Sequence, residues 1–544
     1  MIPAISGWTA RVFACTAAAL IMGASTGCLR RKTPVEAGIR TQVLHRGLGA
    51  DLSDLDPHLA TQTADYSVLS ALFEGLVAED PIDLHPVPGV AQSWDVSPDG
   101  LVYTFRIRPD ARWTDGRPLT AMDFVESWRR VLTPSLGAEN ANLLFVIEGA
   151  EAYNRRAAGF SQVGLSAPDT RTLRVALERP AAYFLSMLSS PAWLPVPLAT
   201  IAKYGDPVRR GDPWARPGRI VSNGPFVLES WKAGQEIVVR RSDTYWDRAN
   251  VHLSAIHFHA IDSLDAEERA FRAGQLHVTE ALPPAKLDAY RRDNPRVLRI
   301  DPLLGTYFYR LNVKRPGLAD PRIRRALGLA IDRVTLVDRI LHGQIPASSF
   351  TPAGLGAYQP GAGQDYDPAA ARSLLAAAGH ASGRGLPVYE LLYNNSETHR
   401  LVAEALQEMW RRELGVRIRL VNEDPMSVLD ARRTGAYDIL RSSWIADYAD
   451  PSAALELWRS DSGNNFTGWS SVEYDGQLFT AARTQDPGAR NAQYALAEHE
   501  LLVSAPILPI YHYTHVFLLA PSVRGWHPTL LDHHPYKAVS LEGP

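Results

Sequence analysis

The chain has 544 residues, 46% of them hydrophobic, and a formal net charge of −3 at pH 7. This composition is typical of a globular protein with a large core, and the near-neutral charge excludes the strong basic field that nucleic-acid binding needs. Only two cysteines are present, Cys15 and Cys28, so we expect the core to fold without a disulfide framework.

The N-terminal residues have the pattern of a secretory signal peptide. Arg11 carries the only charged side chain before Cys28, residues 12–22 are apolar, and residues 23–27 are small. The apolar run is shorter than the roughly 20 residues that a membrane-spanning helix needs. We therefore expect residues 1–27 to be removed on export.

Cys28 follows the small residues Ser25, Thr26 and Gly27, and this pattern resembles a bacterial lipobox, although Ser25 replaces the usual leucine. The sulfur of a lipobox cysteine carries a diacylglycerol, and two or more acyl chains hold a protein on a membrane where a single chain does not. We expect Cys28 to be lipidated and the polar residues 28–40 to form a tether.

Alternation of apolar and polar residues predicts two half-buried strands in the first third of the chain. In residues 101–108, Tyr103, Phe105 and Ile107 face one side and the intervening residues face the other. Residues 172–177 repeat the same pattern.

Asp320 and Pro321 predict the start of a helix, because an acidic N-cap followed by proline in the first turn is favourable. The apolar residues between Ile323 and Val334 fall at helical spacing. We expect a helix that ends at Gly343.

A strand–helix–strand unit follows. Residues 388–393 and 416–420 predict strands, and residues 399–414 predict an amphipathic helix that stops at Gly415. Such a unit places its two strands parallel in one sheet, so the sequence predicts a mixed α/β fold.

Few sequence motifs indicate catalysis or metal binding. The H-E-x-x-H, P-loop and C-x-x-C motifs are absent. Three pairs of histidines could serve as metal ligands: His257 with His259, His512 with His515, and His533 with His534. No carboxylate stands near them at recognisable spacing, so we expect packed or surface histidines, with no metal, no cofactor and no catalytic residues.

A series of short motifs runs through residues 40–540. The longest is residues 91–128, which read AQSWDVSPDGLVYTFRIRPDARWTDGRPLTAMDFVESW. The others, in chain order, are 55–58 (LDPH), 72–76 (LFEGL), 222–226 (SNGPF), 245–246 (YW), Asn312, 320–324 (DPRIR), 330–333 (AIDR), 391–396 (LLYNNS), 437–441 (YDILR) and 444–451 (WIADYADP). Together they resemble the family 5 extracellular solute-binding proteins, in particular the group that binds oligopeptides and dipeptides.

The resemblance implies a two-lobed periplasmic binding protein fold (class II, cluster C) with an extra domain and a discontinuous first lobe. Lobe I would comprise residues 40–73, 197–304 and 514–544. The extra domain would be 74–196 and lobe II 305–513. The lobes would be joined by two crossing strands and would close around a ligand by hinge motion.

The resemblance also implies how a peptide would be held. An extended peptide pairs with backbone groups of both lobes. Its amino group, once enclosed, needs a carboxylate, because an unpaired buried charge is costly. Asp447 stands where the family places this carboxylate, so we expect a buried acid in the cleft.

The peptide carboxylate needs a cation, and arginine can hold it through two parallel hydrogen bonds. Arg441, Arg432 and His399 match family positions that meet the peptide C-terminus or line the cavity, and Lys314 matches one used by longer peptides. Three of these residues also have purely structural interpretations. Arg441 could form an ion pair with Asp438, and His399 could simply begin a helix. Trp444 matches a residue of the ligand wall, but it could instead pack in the hydrophobic core. Tyr513 matches a tyrosine whose hydroxyl faces the cavity.

Several residues depart from the oligopeptide-binding pattern. Thr61 replaces an acid, Asn140 an aromatic residue and Pro425 a tryptophan near the ligand. Gly305 and Ile445 replace the two cysteines of a disulfide. These changes bear on the preferred peptide and leave Asp447 in place.

The expected function is that of a monomeric, membrane-anchored lipoprotein in the periplasm or cell envelope. It would capture short peptides for the permease and ATPase subunits of an ABC importer. Two alternatives stay open at this point: a binding protein for a non-peptide solute, such as a nickel chelate, sugar or opine, and a secreted hydrolase. A hydrolase would need a nucleophile or metal beside a general base.

Overall fold

A computed structural model describes residues 32–211, 213–361 and 363–543. The predicted signal peptide and the predicted lipidation site Cys28 lie outside the described residues. Within the described ranges, no helix is both long and apolar enough to cross a bilayer.

The strands are distributed along the whole chain. They are β1 (Val43–Gly47), β2 (Val77–Glu79), β3 (Pro86–Pro88), β4 (Ala91–Val96), β5 (Val102–Ile107), β6 (Leu165–Asp169), β7 (Thr172–Ala176), β8 (Phe226–Lys232), β9 (Glu236–Arg241), β10 (Ala255–His259), β11 (Leu298–Leu311), β12 (Ile345–Pro346), β13 (Tyr389–Asn394), β14 (Ile418–Glu423), β15 (Ile439–Ile445), β16 (Ile507–Leu518), β17 (Val523–Arg524) and β18 (Ser540–Leu541).

The α-helices alternate with these strands. They are α1 (Pro34–Thr41), α2 (Thr63–Leu72), α3 (Ala121–Leu132), α4 (Ala150–Asn154), α5 (Phe184–Met187), α6 (Leu198–Tyr204), α7 (Leu264–Arg272), α8 (Leu287–Asp293), α9 (Pro321–Leu329), α10 (Arg333–Leu336), α11 (Pro368–Ala377), α12 (Glu397–Leu414), α13 (Pro425–Thr434), α14 (Ser452–Leu455), α15 (Val472–Arg483) and α16 (Pro487–Ser504).

Two four-stranded sheets form in the first half of the chain. One has the order β1-β10-β9-β8, with β1 parallel to β10 and the others antiparallel. The other has the order β4-β5-β7-β6. It contains both strands predicted from alternation, and Tyr103, Phe105 and Ile107 are buried on one face, as expected.

A six-stranded sheet with the order β12-β16-β11-β15-β13-β14 dominates the second half. The predicted strand–helix–strand unit is confirmed: β13 and β14 are parallel, α12 lies between them in sequence, and Gly415 ends α12 in the left-handed region at φ 66°. Successive residues of β11 point to opposite sides of the sheet. Tyr307 and Tyr309 therefore enter one apolar core and Phe308 another, and helices contribute residues to both cores.

The helix predicted between Ile323 and Gly343 is interrupted. Asp320 caps α9 as expected, accepting a hydrogen bond from the Arg322 amide. The helix ends at Leu329, and Asp332 caps a new one, α10, by accepting from the Thr335 amide. The second cap competes with continuation of the first helix. As a result, the side chain of Val334, which the helical spacing places on the apolar face, is exposed to solvent.

Two long antiparallel strands connect the sheets. β11 and β16 pair from Leu298 opposite Leu518 to Arg310 opposite Ile507, with irregularities in the ladder between Pro302 and Thr306 and next to Tyr307. At one end, Leu519 bridges to Val278, which itself bridges to β1. At the other end the same strands form the centre of the six-stranded sheet. The ladder is therefore continuous across the molecule and irregular near its middle.

Candidate functional site

A cavity of about 410 Å³ lies where the two halves of the chain face each other. Its lining comes from α2 and the strand after it, from residues 140–143 and 189–194, and from residues 530–537. Residues 445–447, at the end of β15, supply the opposing wall. Concave sites of this size between two parts of a chain are the usual location of small-ligand binding.

Asp447 lies on this wall. Its side chain is exposed to the cavity, and it makes no hydrogen bond or ion pair with any residue that the structure describes. The surrounding protein nevertheless removes enough water that desolvation raises the pKa of the Asp447 carboxyl above its usual value. A carboxylate of this kind is free to bind a cationic group.

The turn after β15 fixes the position of Asp447. The amide of Ala446 donates to Leu304 O (2.9 Å), which keeps the chain beside β11. The buried Asp450 accepts from the Ser452 amide (2.9 Å) and pairs with Arg490 (3.3 Å). Between these anchors, Asp447 is presented to the cavity.

Tyr66 and Asn140 lie on the side of the cavity formed by the first half of the chain. The Asn140 amide donates to the Tyr66 hydroxyl (3.2 Å). Burial raises the pKa of this hydroxyl, and the negative charge of Asp447 adds to the effect. Asn140, where the family pattern has an aromatic residue, therefore makes this part of the wall polar. Thr61, the other departure on this side, is exposed and outside the cavity lining.

Arg441, His399 and Tyr513 are brought together on one face of the six-stranded sheet. The Arg441 guanidinium lies 4.7 Å from the Tyr307 ring and donates weakly to Asn394 Oδ1 and the Tyr513 hydroxyl, both at 3.4 Å. His399 Nδ1 lies 3.3 Å from the Tyr307 hydroxyl. We call Arg441, Tyr307, Tyr513, Asn394 and His399 the Arg441 cluster.

No carboxylate neutralises Arg441 among the residues described. Asp438, the alternative partner considered for it, pairs instead with Arg315 at 3.1 Å. Burial, followed by the charge of Arg441, lowers the pKa of His399 to about 4, so this ring is neutral at neutral pH. The Arg441 cluster thus presents one cation without an anion.

Arg432 and Lys314 lie around a different segment. The Arg432 guanidinium stacks on the Phe466 ring at 4.8 Å, and desolvation lowers its pKa. Lys314 is exposed and passes beside Gly468. These two cations thus lie beside residues 466–468, whereas Arg441 contacts Tyr307, Asn394 and Tyr513.

Trp444 faces away from the Arg441 cluster, because it is an odd number of residues from Arg441 on β15. Its indole N–H donates to Ala453 O (3.0 Å), and the ring packs against an apolar core that contains Phe308. It does not line the cavity that holds Asp447. Core packing thus accounts for its contacts in this conformation.

Gly305 and Ile445, the positions matched to a disulfide, are directly opposite each other in the β11–β15 ladder. Ile445 is exposed and lines the cavity. A Cβ on Gly305 would lie 3.0 Å from an Ile445 side-chain carbon. Two cysteines at these positions would thus be adjacent. In this protein the exposed apolar side chain of Ile445 lies there instead.

The rest of the cavity is lined by charged residues that the sequence did not identify as ligand-site residues. His533 pairs with Glu79 at 3.0 Å, and Lys537 pairs with Asp247 at 2.9 Å. The Glu74 carboxylate, whose pKa is raised by burial, accepts from Trp246 Nε1 at 2.6 Å. Glu74 belongs to the motif LFEGL and Trp246 to the motif YW, but the contact between them carries no local signal, because the two residues are far apart in sequence.

The motifs themselves have a structural role beside the cavity. The Asn223 amide donates to Glu74 O (2.7 Å), and the Glu74 amide donates to Asn223 Oδ1 (3.2 Å). Tyr245 donates a short hydrogen bond to the Glu74 carboxylate. Residues 72–76, 222–226 and 245–246 therefore join three distant segments into one wall.

The geometry defines a class of protein: an α/β protein with a cleft for a small polar ligand between two parts joined by long strands. A sequence profile described as bacterial extracellular solute-binding proteins, family 5 Middle, matches residues 85–466. The periplasmic oligopeptide-binding protein OppA of Escherichia coli K12 is 34% identical over 523 residues, covering 94% of this chain and 95% of that protein. The chain belongs to the family 5 extracellular solute-binding proteins.

Solved structures of relatives indicate the fold and its state. The unliganded open form of the murein tripeptide-binding protein MppA, 33% identical, covers 92% of this chain and 97% of its own with a TM-score of 0.85. A second structure of MppA, from Escherichia coli, has the same identity and coverage of 92% and 99%, and gives 0.70. Haemophilus influenzae OppA in complex with RPPGFSPFR, 30% identical with coverage of 92% and 99%, gives 0.68.

The fold is thus the two-lobed periplasmic binding protein fold that the sequence predicts. The TM-score is higher for the unliganded open form of MppA, 0.85, than for the peptide complex of OppA, 0.68. In an arrangement more similar to that open form, Asp447, expected to be buried, is exposed to the cavity.

Proposed function

We propose that this protein is the substrate-binding component of an ABC importer and captures short peptides in a cleft that closes. The observation that carries the proposal is Asp447, a carboxylate on the cavity wall with no hydrogen-bond or ion-pair partner among the residues that the structure describes. The amino terminus of a peptide supplies the missing cation, and closure then removes water from the pair. Family members that bind peptides, such as OppA, support this assignment.

The other end of the peptide is assigned to the Arg441 cluster. Arg441 has weak hydrogen bonds at 3.4 Å and no acidic partner within the described ranges, so a carboxylate can replace these contacts with stronger ones. Tyr513 and the neutral His399 can donate or accept beside it. Arg432 is assigned to the peptide C-terminus or the lining of the cleft, and Lys314 to longer peptides. Trp444 is assigned to the wall that supports the ligand after closure.

The closing motion is assigned to the β11–β16 pair. The ladder is irregular between Pro302 and Thr306, where the chain passes between the sheets. Strand irregularities of this kind weaken the ladder locally and allow bending. The boundaries proposed for the moving parts are those predicted in the sequence analysis. They are 40–73, 197–304 and 514–544 for lobe I, 74–196 for the extra domain and 305–513 for lobe II.

The protein is further proposed to work as a monomeric lipoprotein held at the membrane through Cys28, next to its permease and ATPases. The periplasmic location of its relatives supports export. Nickel chelates, sugars and opines are the alternative ligands. These differ from peptides in lacking the combination of a free amine and a free carboxylate at peptide spacing, which Asp447 and Arg441 would recognise. Hydrolysis of the bound peptide is the remaining alternative.

Calorimetry with trialanine and N-acetyl-trialanine tests the proposal. Acetylation removes the amine charge and leaves the C-terminal carboxylate unchanged, so we expect binding of trialanine and a large loss of affinity for the acetylated form. Equal affinity for the two, or no binding of either alongside a co-purifying non-peptide solute, would contradict the proposal. Mass spectrometry of trialanine after incubation tests hydrolysis, and we expect the peptide to stay intact.

A further inference from the structure

An exposed apolar side chain lies close to Asp447 on the wall of the cavity. Ile445, the last residue of β15, is 58% exposed and lines the same cavity as Asp447. Of the large apolar side chains that are exposed within the described ranges, Ile445 is the one that does so. Single exposed apolar residues are ordinary on protein surfaces, whereas in a ligand cleft they supply contact area for an apolar group. The surroundings of Ile445 decide between these two roles.

Hydrogen bonds of the backbone fix the position of Ile445. The residue is paired with Gly305 in the β11–β15 ladder. The next amide, that of Ala446, donates to Leu304 O at 2.9 Å, and the Leu304 amide donates to Leu530 O at 2.6 Å. Three segments that are distant in sequence are thus joined beside Asp447, so the backbone of Ile445 is in place before a ligand enters.

Gly305 contributes no side chain between Ile445 and the Arg441 cluster. A Cβ at position 305 would lie 3.0 Å from Ile445 Cγ1 and 3.3 Å from Tyr513 Cδ2. Arg441 and Ile445 are four residues apart on β15 and therefore share a face of the sheet. Ile445 thus stands between the carboxylate assigned to the peptide amine and the cluster assigned to the peptide carboxylate.

Further apolar residues line the cavity on both sides of Asp447. Leu303 and Leu531 belong to the segments that are joined to residue 446, and Leu143 and Leu194 line the cavity from the first half of the chain. An apolar ligand group next to Ile445 would be enclosed from two sides when the cleft closes. Its removal from water would then stabilise the complex.

Two ion pairs neutralise charged side chains of the same cavity. Lys537 pairs with Asp247 at 2.9 Å, and His533 pairs with Glu79 at 3.0 Å. A charged ligand side chain would have to replace one of these partners, whereas an apolar side chain leaves both pairs intact. With Asp447 assigned to the peptide amine, the rest of the cavity favours a neutral, apolar group.

A peptide amine at Asp447 places the first side chain of the peptide within reach of Ile445. The amino nitrogen and the first side chain are attached to the same Cα. Ile445 and Asp447 are two residues apart, which spans at most about 7 Å of chain. The third side chain of an extended peptide lies about 7 Å further along. The first residue is therefore the one whose side chain meets Ile445.

We propose that Ile445 selects peptides whose first residue has an aliphatic side chain, such as leucine, by forming one wall of an apolar subsite beside Asp447. This role of Ile445 rests on the proposed function, because it requires the peptide amine at Asp447. Leucine has three more carbon atoms than alanine, and their burial against Ile445 supplies the preference.

Calorimetry with trialanine, leucyl-alanyl-alanine and lysyl-alanyl-alanine measures this preference. We expect the wild-type protein to bind the leucyl peptide about tenfold or more tighter than trialanine, and the lysyl peptide no tighter than trialanine. Ile445→Thr keeps a β-branched side chain but exchanges apolar atoms for a hydroxyl. It should reduce the leucyl preference about threefold or more and leave the affinity for trialanine nearly unchanged. Val334→Thr, which changes an exposed valine outside the cavity, should keep the full preference.

Equal affinity for the leucyl and alanyl peptides, a preference for the lysyl peptide, or an unchanged leucyl preference in Ile445→Thr would each overturn the role of Ile445. N-acetyl-trialanine separates this result from the proposed function. If the wild-type protein rejects the acetylated peptide but shows no leucyl preference, the role of Ile445 alone fails. If it binds the free and acetylated peptides equally, the assignment of the amine to Asp447 fails, and the subsite fails with it.

A crystal structure of the wild-type protein with leucyl-alanyl-alanine gives an answer that does not depend on the folding of variants. Carbon atoms of the leucine side chain within about 4.5 Å of Ile445 would support the subsite. A leucine side chain that points away from Ile445, with the peptide amine still at Asp447, would refute it.

Discussion

Replacement of Asp447 by asparagine should abolish tight peptide binding with little effect on folding. The free carboxylate has no hydrogen-bond or ion-pair partner among the residues described, so its loss breaks no such contact within the protein. In the closed complex, however, the peptide ammonium would be left without its counter-charge. Removing one partner of an enclosed ion pair costs about 3–5 kcal/mol. This corresponds to a loss of affinity of roughly 200- to 5000-fold.

The pH dependence of binding provides a second reading of the same residue. Desolvation raises the pKa of Asp447 in the free protein, which means that the protonated form is favoured. A protonated carboxyl cannot pair with an ammonium group, so affinity should fall as the pH decreases through this raised pKa. Because the folded-state pKa is raised, charging Asp447 slightly destabilises the fold as the pH rises through that value. The asparagine variant should therefore be at least as stable at pH 7.

Calorimetry with trialanine from pH 4 to 8 and thermal unfolding measure both effects. Asp95→Asn is a matched control, because Asp95 is exposed on β4 and outside the cavity. We expect wild-type affinity in the control, and in Asp447→Asn a weak affinity without the acid-side decline. A loss of less than tenfold in Asp447→Asn, with an unchanged pH profile, would refute the role of the carboxylate.

Three further predictions concern other parts of the molecule. Arg130→Met should lower the free energy of unfolding in urea by about 3–5 kcal/mol, because Arg130 and Asp56 form a buried bidentate pair at 2.6 and 3.0 Å. The control is Arg129→Met, which changes an exposed neighbour on α3 and should lower the free energy of unfolding by about 1 kcal/mol or less. Equal losses in the two variants would contradict the argument from burial. Arg441→Met should weaken trialanine roughly 10- to 150-fold, as expected for a hydrogen bond to a charged group. The C-terminal amide of trialanine should be affected less, and identical losses would argue against a contact with the carboxylate. Cys28→Ser should move the protein from the membrane to the soluble fraction of cells, and a variant that stays with the membrane would show another anchor.

Local patterns were sufficient to predict much of the fold. Alternation located β5 and β7, and helical spacing with Gly415 located α12. Both signals depend only on residues close in sequence. The break between α9 and α10 was missed because Asp332, which caps the second helix, was counted within an apolar repeat.

The site was predictable only in part, since its contacts are long-range. The motif around Asp447 indicated a ligand acid, whereas its exposure depends on the open state of the cleft. The Arg441 cluster needs β11, β15 and β16 to be adjacent before Tyr307 and Tyr513 can meet Arg441.

The account depends most on what fills the space in front of Asp447. A crystal structure of the wild-type protein with trialanine measures this directly. We expect a closed cleft with the peptide nitrogen at hydrogen-bond distance, about 2.7–2.9 Å, from an Asp447 carboxylate oxygen. A closed complex in which the peptide amine contacts another group, while Asp447 stays in water, would contradict the account.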